Sequence, residues 1–202
     1  MRLKTFGGSV AAVVVAVLVS IPSSARAGGI KKRAANQQGR IAQGVQSGQL
    51  TAGETARLEG KESALNHEVK DMRQVNGGTL TTQDKTIVNR QQNRLSRDIY
   101  AQKHDAQTQG QGTGEVAQRK SNQQQRIAQG IQSGQLTAGE ASRLEGKESA
   151  LNQETRDMRS LNGGTLTPGD KAVVNQQQNR LSNDIYDQKH DGQTQPPATP
   201  QP

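Results

Sequence analysis

The chain contains no cysteine and no tryptophan, and in 202 residues it has one phenylalanine and two tyrosines. Without cysteine there is neither a disulfide framework nor a lipid-modified N-terminal cysteine, so any fold must hold by packing alone. With so few aromatics the core must be small and aliphatic. Nucleic-acid binding loses its stacking platforms as well. Long apolar runs are equally scarce. The one present, Val10 to Ile21, broken only at Ser20, follows Arg2 and Lys4 and precedes Ala25-Arg26-Ala27.

That N-terminus has the order of a secretory signal: a basic start, an apolar stretch short of the ~20 residues a spanning helix needs, and small residues at −3 and −1. Cleavage is expected after Ala27, making 1–27 a leader. The remainder is expected in the periplasm or outside the cell, with no transmembrane segment. The net charge of +8 includes Arg2, Lys4 and Arg26 of the leader, so the balance left behind is modest and spread along the chain. It solubilises more than it steers.

What the chain does have is a duplication. Residues 40–109 recur at 126–195, an offset of 86, and the two blocks differ at 16 of 70 positions. The duplicated module is the unit to explain. Inside each copy a shorter unit repeats at an offset of 30: Gly48-Gln49-Leu50-Thr51-Ala52-Gly53-Glu54 matches Gly78-Thr79-Leu80-Thr81-Thr82-Gln83-Asp84. Glycine there ends one helix, threonine caps the next, and the acid three places on completes a capping box. The caps are therefore expected at Thr51/Glu54, Thr81/Asp84, Thr137/Glu140 and Thr167/Asp170. Pro168 sits at a first helical position, where its missing N–H is harmless.

Between these starts the apolar residues Leu58, Leu65, Val69 and Met72, then Val88, Leu95 and Ile99, fall at helical spacing. Ile41 with Val45, and Ile127 with Ile131, form i, i+4 pairs that add a helix before each copy. The pattern predicts an all-α fold: two tandem modules of three antiparallel helices, helical repeats made of coiled-coil-like hairpins. The helices are expected at 30–46, 52–76 and 82–103, and again at 115–132, 138–162 and 168–190. The modules span 30–104 and 115–192. Residues 105–114, lacking apolar period, read as a flexible linker, and the Pro/Gln/Thr-rich 193–202 as a disordered tail. A small core without staples predicts modules that gain from stacking on each other, from self-association or from a partner.

Candidate chemistry is thin. His104 and His190 recur in the string Gln-Lys-His-Asp, where a cation eases a helix C-terminus, while His67 is replaced by Gln153. Neither a nucleophile motif nor a metal-ligand cluster stands out, so no catalytic residue, cofactor-binding residue or metal ligand is assigned, no cofactor is expected and an enzyme is not. The alternating charges Arg57, Glu59, Lys61 and Glu62 read as a solvated helix face, with no nucleic-acid partner. The candidate partner contacts are Tyr100 and Tyr186 with neighbouring Arg94 and Arg180. Lys31-Lys32-Arg33 is a candidate contact for anionic lipid or an anionic envelope polymer.

The turns Asn76-Gly77-Gly78-Thr79-Leu80-Thr81 to Asp84, and Asn162-Gly163-Gly164-Thr165-Leu166-Thr167 to Asp170, resemble the second half of an EF-hand loop, with glycine at its sixth place, an aliphatic at the eighth and an acid at the twelfth. The resemblance implies a degenerate helix-loop-helix. Where that family places oxygen ligands, this chain has Arg73, Val75 and Gly77, so the resemblance carries no ligand set. The leading expectation is a non-enzymatic exported helical-repeat protein acting as an interaction or scaffold module in the bacterial envelope or outside the cell, its partner an unknown protein or an anionic polymer. The alternatives are a hydrophilic Gln/Gly-rich stress protectant and a divalent-cation-binding EF-hand-like protein.

Overall fold

The computed structural model describes residues 23–110 and 112–199. The fold is all-α, with six helices and no strand among those residues: α1 Ser23–Gln46, α2 Ala52–Val75, α3 Thr82–Lys103, α4 Glu115–Ser133, α5 Ala138–Leu161 and α6 Pro168–His190. The expected leader lies outside the described residues up to residue 22, and residues 23–27 run continuously into α1. Apolar spacing marks only the buried part of that helix.

Local chemistry sets the helix starts. Thr51, Thr81, Thr137 and Thr167 are extended N-caps, and each accepts from the N–H three residues on while the acid there accepts the cap's own N–H. These reciprocal bonds satisfy donors that a helix N-terminus leaves free. The four boxes are not equivalent, however. Glu140 Oε2 accepts from Thr137 N–H at 2.8 Å and from Thr137 Oγ1 at 2.9 Å, yet Glu140 is fully buried and its Oε1 has no hydrogen-bond partner. Glu54 stands in the same way beside Thr51. The physical reason is position: the first turns of α2 and α5 lie inside the contact between the two halves, whereas Asp84 and Asp170, at the outer turns, are not buried.

Between α2 and α3, Gly77 and Gly78 take φ of 62° and 90°, the left-handed region glycine reaches without a steric penalty. Gly78 N–H returns to Arg73 O at 2.7 Å. Asp84, the acid of the EF-hand-like turn, accepts from Thr81 N–H at 2.8 Å and Asn76 Nδ2 at 2.9 Å. Its carboxylate is occupied in closing the turn.

Within each half the three helices pack on one another, but the most extensive contact in the molecule is α2 against α5, followed by α1 against α4. The halves meet through a stripe of small residues, Gly53, Ala56, Gly60 and Ser63 on α2 and Gly139, Ser142 and Ser149 on α5. A Cβ on Gly53 would lie 3.1 Å from Ser149 Oγ, and one on Gly139 would lie 3.1 Å from Ser63 Oγ. That exchange of partners makes α2 and α5 antiparallel neighbours about a pseudo-twofold axis. Gln46 Nε2 donates to Gln132 Oε1, its own equivalent 86 residues on, near the same axis.

Three aliphatic clusters form the core. Ile41, Leu50, Leu58, Leu95 and Ile99 fill one end of the first module, and Ile30, Leu65, Val69, Leu80 and Val88 fill the other. In the second, Ile127, Ile131, Leu136, Leu144, Leu181 and Ile185 admit Ala42 from α1. The connecting segments are tied down by the packing. In the stretch expected to be a flexible linker, Gln109 N–H donates to Gly48 O at 2.9 Å. In the stretch expected to be a disordered tail, backbone hydrogen bonds reach residue 199. Gln195 N–H bonds Gly134 O, Ala198 N–H bonds Gln132 O, Thr199 N–H bonds Ala35 O, and Ala198 is buried. The carbonyls these segments meet at Gly48, Gln132 and Gly134 stand at the ends of α1 and α4, where helical partners run out.

Candidate binding cleft at the module interface

The two aliphatic clusters of the first module are separated by a polar layer. Gln37 Nε2 donates to Gln92 O and Ser96 Oγ, and Gln92 Nε2 donates to Ile30 O. Gln38 Nε2 donates to Glu59 Oε2 at 2.9 Å, while its Oε1 accepts from Gln195 Nε2 at 3.0 Å. The second module repeats the layer through Gln123, Gln178 and Gln124, the last donating to Glu145 Oε2 and accepting from Gln109 Nε2. Each tail segment thus closes the polar layer of the opposite module.

Four carboxyls, those of Glu59, Glu62, Glu145 and Glu148, are buried in this layer. This corrects the reading of Glu59 and Glu62 as a solvated face. Helix α2 is covered twice, by α1 and α3 on one side and by α5 on the other, so the face its own module leaves open is sealed by the other. Desolvation disfavours the charged form. Burial pushes Glu59 well above the usual carboxylate range, opposed by the bond from Gln38 and reinforced by Glu62 and Glu145. It pushes Glu62 up to about 7. Glu145 is raised by burial to about 8 against the Gln124 bond, and Glu148 by burial to about 7 against the nearby charge of Lys120.

The halves differ at one place in this layer. Position 34 of the first module is alanine; its equivalent in the second is Lys120. Lys120 is half-buried, and burial lowers the pKa of its ammonium, opposed by Glu148 and Glu145 and reinforced by Arg156 and Arg159. Beside Ala34 there is instead a cleft of about 600 Å³, lined by α1, α2, the start of α5 and the tail segment 193–196. Glu62 lines it, fully buried, with no hydrogen-bond partner for either oxygen. Ile30, Leu65 and Val69 supply an apolar wall, and Lys31, Lys70, Arg73 and Arg143 also line the cleft. Of the Thr137/Glu140 cap, Thr137 reaches the cleft's edge, while Glu140 is not among the residues that line it.

The other residues singled out in the sequence lie elsewhere. Tyr100 and Tyr186 are exposed, each stacked on the histidine one turn on, His104 or His190, with centroids 4.1 Å apart. His104 Nδ1 and His190 Nδ1 lie 2.7 and 2.6 Å from the carbonyls of Tyr100 and Tyr186. Arg94 and Arg180 are exposed, and no contact joins them to a tyrosine among the described residues. Of the basic cluster at 31–33, Lys31 reaches the cleft and Arg33 bonds Asn93 Oδ1. Among the described residues no group of three or more His, Asp or Glu is placed to hold a metal ion, and no helix is long and apolar enough to cross a membrane. The cleft was missed because its floor residue, Glu62, reads locally as one more helix-surface charge. Its signal was the substitution of Ala34 for Lys120 between near-identical copies.

No family model, no curated protein and no solved structure matches the chain. The functional reading therefore rests on geometry.

Proposed function

We propose that this is an exported, non-enzymatic binding protein of the bacterial envelope or the cell exterior, and that the cleft beside Glu62 is where it binds. One observation carries the reading. A fully buried carboxyl without a partner faces an open cleft with an apolar wall and a few polar groups, the composition usual for small-ligand sites. Leaving such a group unsatisfied destabilises the free protein, and a ligand that pairs it recovers that loss. Export is supported by the basic, apolar and small-x-small order of residues 2–27. The exposed tyrosines remain candidate contacts for a protein partner, since each presents a ring backed by its histidine.

A thermal-shift panel of amino acids, amines, carboxylates and sugars tests the reading. Some compound is expected to stabilise the wild type but not Ala34→Lys, in which the chain fills its own cleft. A panel in which nothing separates the two proteins removes the cleft from consideration.

A further inference from the structure

The two modules differ beside their polar layers. The polar layers correspond residue for residue: Gln38 with Gln124, Glu59 with Glu145, Glu62 with Glu148. In the second module Lys120, half-buried, stands at the position of Ala34, and Glu148 keeps one oxygen without a hydrogen-bond partner. In the first module Ala34 stops at its Cβ, and Glu62 is left with both oxygens unbonded. The cleft beside Ala34 is about 600 Å³, with Glu62 among the residues that line it.

The surroundings define the rest of the ligand. Leu65 and Val69 are buried and present aliphatic surface along the cleft, suited to a run of methylenes. Lys31, Lys70 and Arg143 are exposed and Arg73 is half-buried, so the cleft's mouth is cationic. A simple polyamine would meet repulsion there, and a simple carboxylate would leave Glu62 unpaired. Only a molecule carrying both charges, at opposite ends of an apolar stem, satisfies both.

We propose that the first-module cleft binds a small zwitterion, a primary ammonium on an aliphatic stem with a carboxylate at the other end, the ammonium pairing with Glu62. This rests on the reading of the cleft as a binding site and names its ligand class. The ammonium supplies charge-assisted hydrogen bonds to Glu62, and the basic mouth receives the carboxylate.

Calorimetry on the purified full protein with 6-aminohexanoate, hexylamine and hexanoate tests it. 6-Aminohexanoate is expected to bind one to one and each single-charge analogue about tenfold more weakly or worse. Glu62→Gln should weaken 6-aminohexanoate by a similar factor. Ala34→Lys should abolish binding while keeping its helical spectrum and melt, because the second module already accommodates lysine there. Hexanoate binding as tightly as 6-aminohexanoate, or an unchanged affinity in Glu62→Gln, overturns the proposal. So does the absence of 6-aminohexanoate binding. In that last case a panel compound that still separates wild type from Ala34→Lys leaves the cleft as a binding site with another ligand, and a blank panel removes both readings.

Discussion

Ser142 Oγ donates a 2.8 Å hydrogen bond to the backbone carbonyl of Ala56, the residue that holds Ser142's own position in the first copy. The bond crosses the pseudo-twofold axis in one direction only, because alanine cannot return it. A substitution that breaks the duplication's symmetry thus joins its halves. Ser142→Ala is expected to lower stability by about 1 kcal/mol, measured by urea denaturation. A larger fall would mean that the small-residue stripe repacks as well.

The inner turns of α1 and α4 depend on glycine for a steric reason. A Cβ on Gly44 would lie 2.6 Å from Leu50 Cδ1, and one on Gly130 would lie 2.6 Å from Leu136 Cδ1, with both leucines fully buried. Gly44→Ala and Gly130→Ala should each destabilise by about 1–3 kcal/mol through overpacking. Since each clash is confined to its own module, the double variant should lose the sum. Stabilisation by either alanine, as helix propensity alone would give, contradicts the packing.

The buried carboxyls of the polar layer give stability a direction with pH. Their folded values are raised, so between about pH 4.5 and the folded values of about 7 for Glu62 and Glu148 and about 8 for Glu145, the native state holds more protons than the unfolded chain. Stability then falls as pH rises, by about 1.4 kcal/mol per pH unit for each proton so retained. The protein should melt at a higher temperature at pH 5 than at pH 8. Combining Glu62→Gln with Glu148→Gln should flatten that dependence. A melting temperature that climbs from pH 5 to pH 8 would falsify the assignment.

Capping threonines at the outer turns act singly. Thr167 Oγ1 accepts the Asp170 N–H, and Asp170 accepts back from Thr167. Thr167→Ala should cost about 1 kcal/mol and speed amide exchange in the first turn of α6, leaving α5 protected. Equal acceleration across α5 and α6 would show the hairpin to open as one unit.

Local order was legible in the residues. The G-x-L-T-x-x-acid units mark four helix starts because a cap and its partner lie three residues apart, within reach of a single sequence window. The i, i+7 and i, i+4 spacing of Leu58, Leu65 and Val69 marks the face toward α3 for the same reason. The burial of Glu59 and Glu62, and of the cap acids Glu54 and Glu140, was not legible. Arg57 and Lys61 are exposed charges of the same helix as Glu59 and Glu62, and the surface that covers the glutamates arrives from 86 residues away. At Glu54 and Glu140 the heptapeptide matches those of Asp84 and Asp170, so the letters cannot tell an inner cap from an outer one. A hint lay in Gly53, Ala56, Gly60 and Ser63, small residues at intervals of three, four and three, which a close helix contact requires.

By itself the sequence determined the helices, their caps and their grouping into two like modules, since hydrogen bonds between near neighbours and the helical period decide those. Only the tertiary structure decided that the modules seal each other's carboxyl-bearing faces, that the tail segments bind across the interface, and that a cleft lies beside Ala34. Those outcomes depend on which surfaces meet, and two copies of nearly the same letters hold that information only once they are placed face to face.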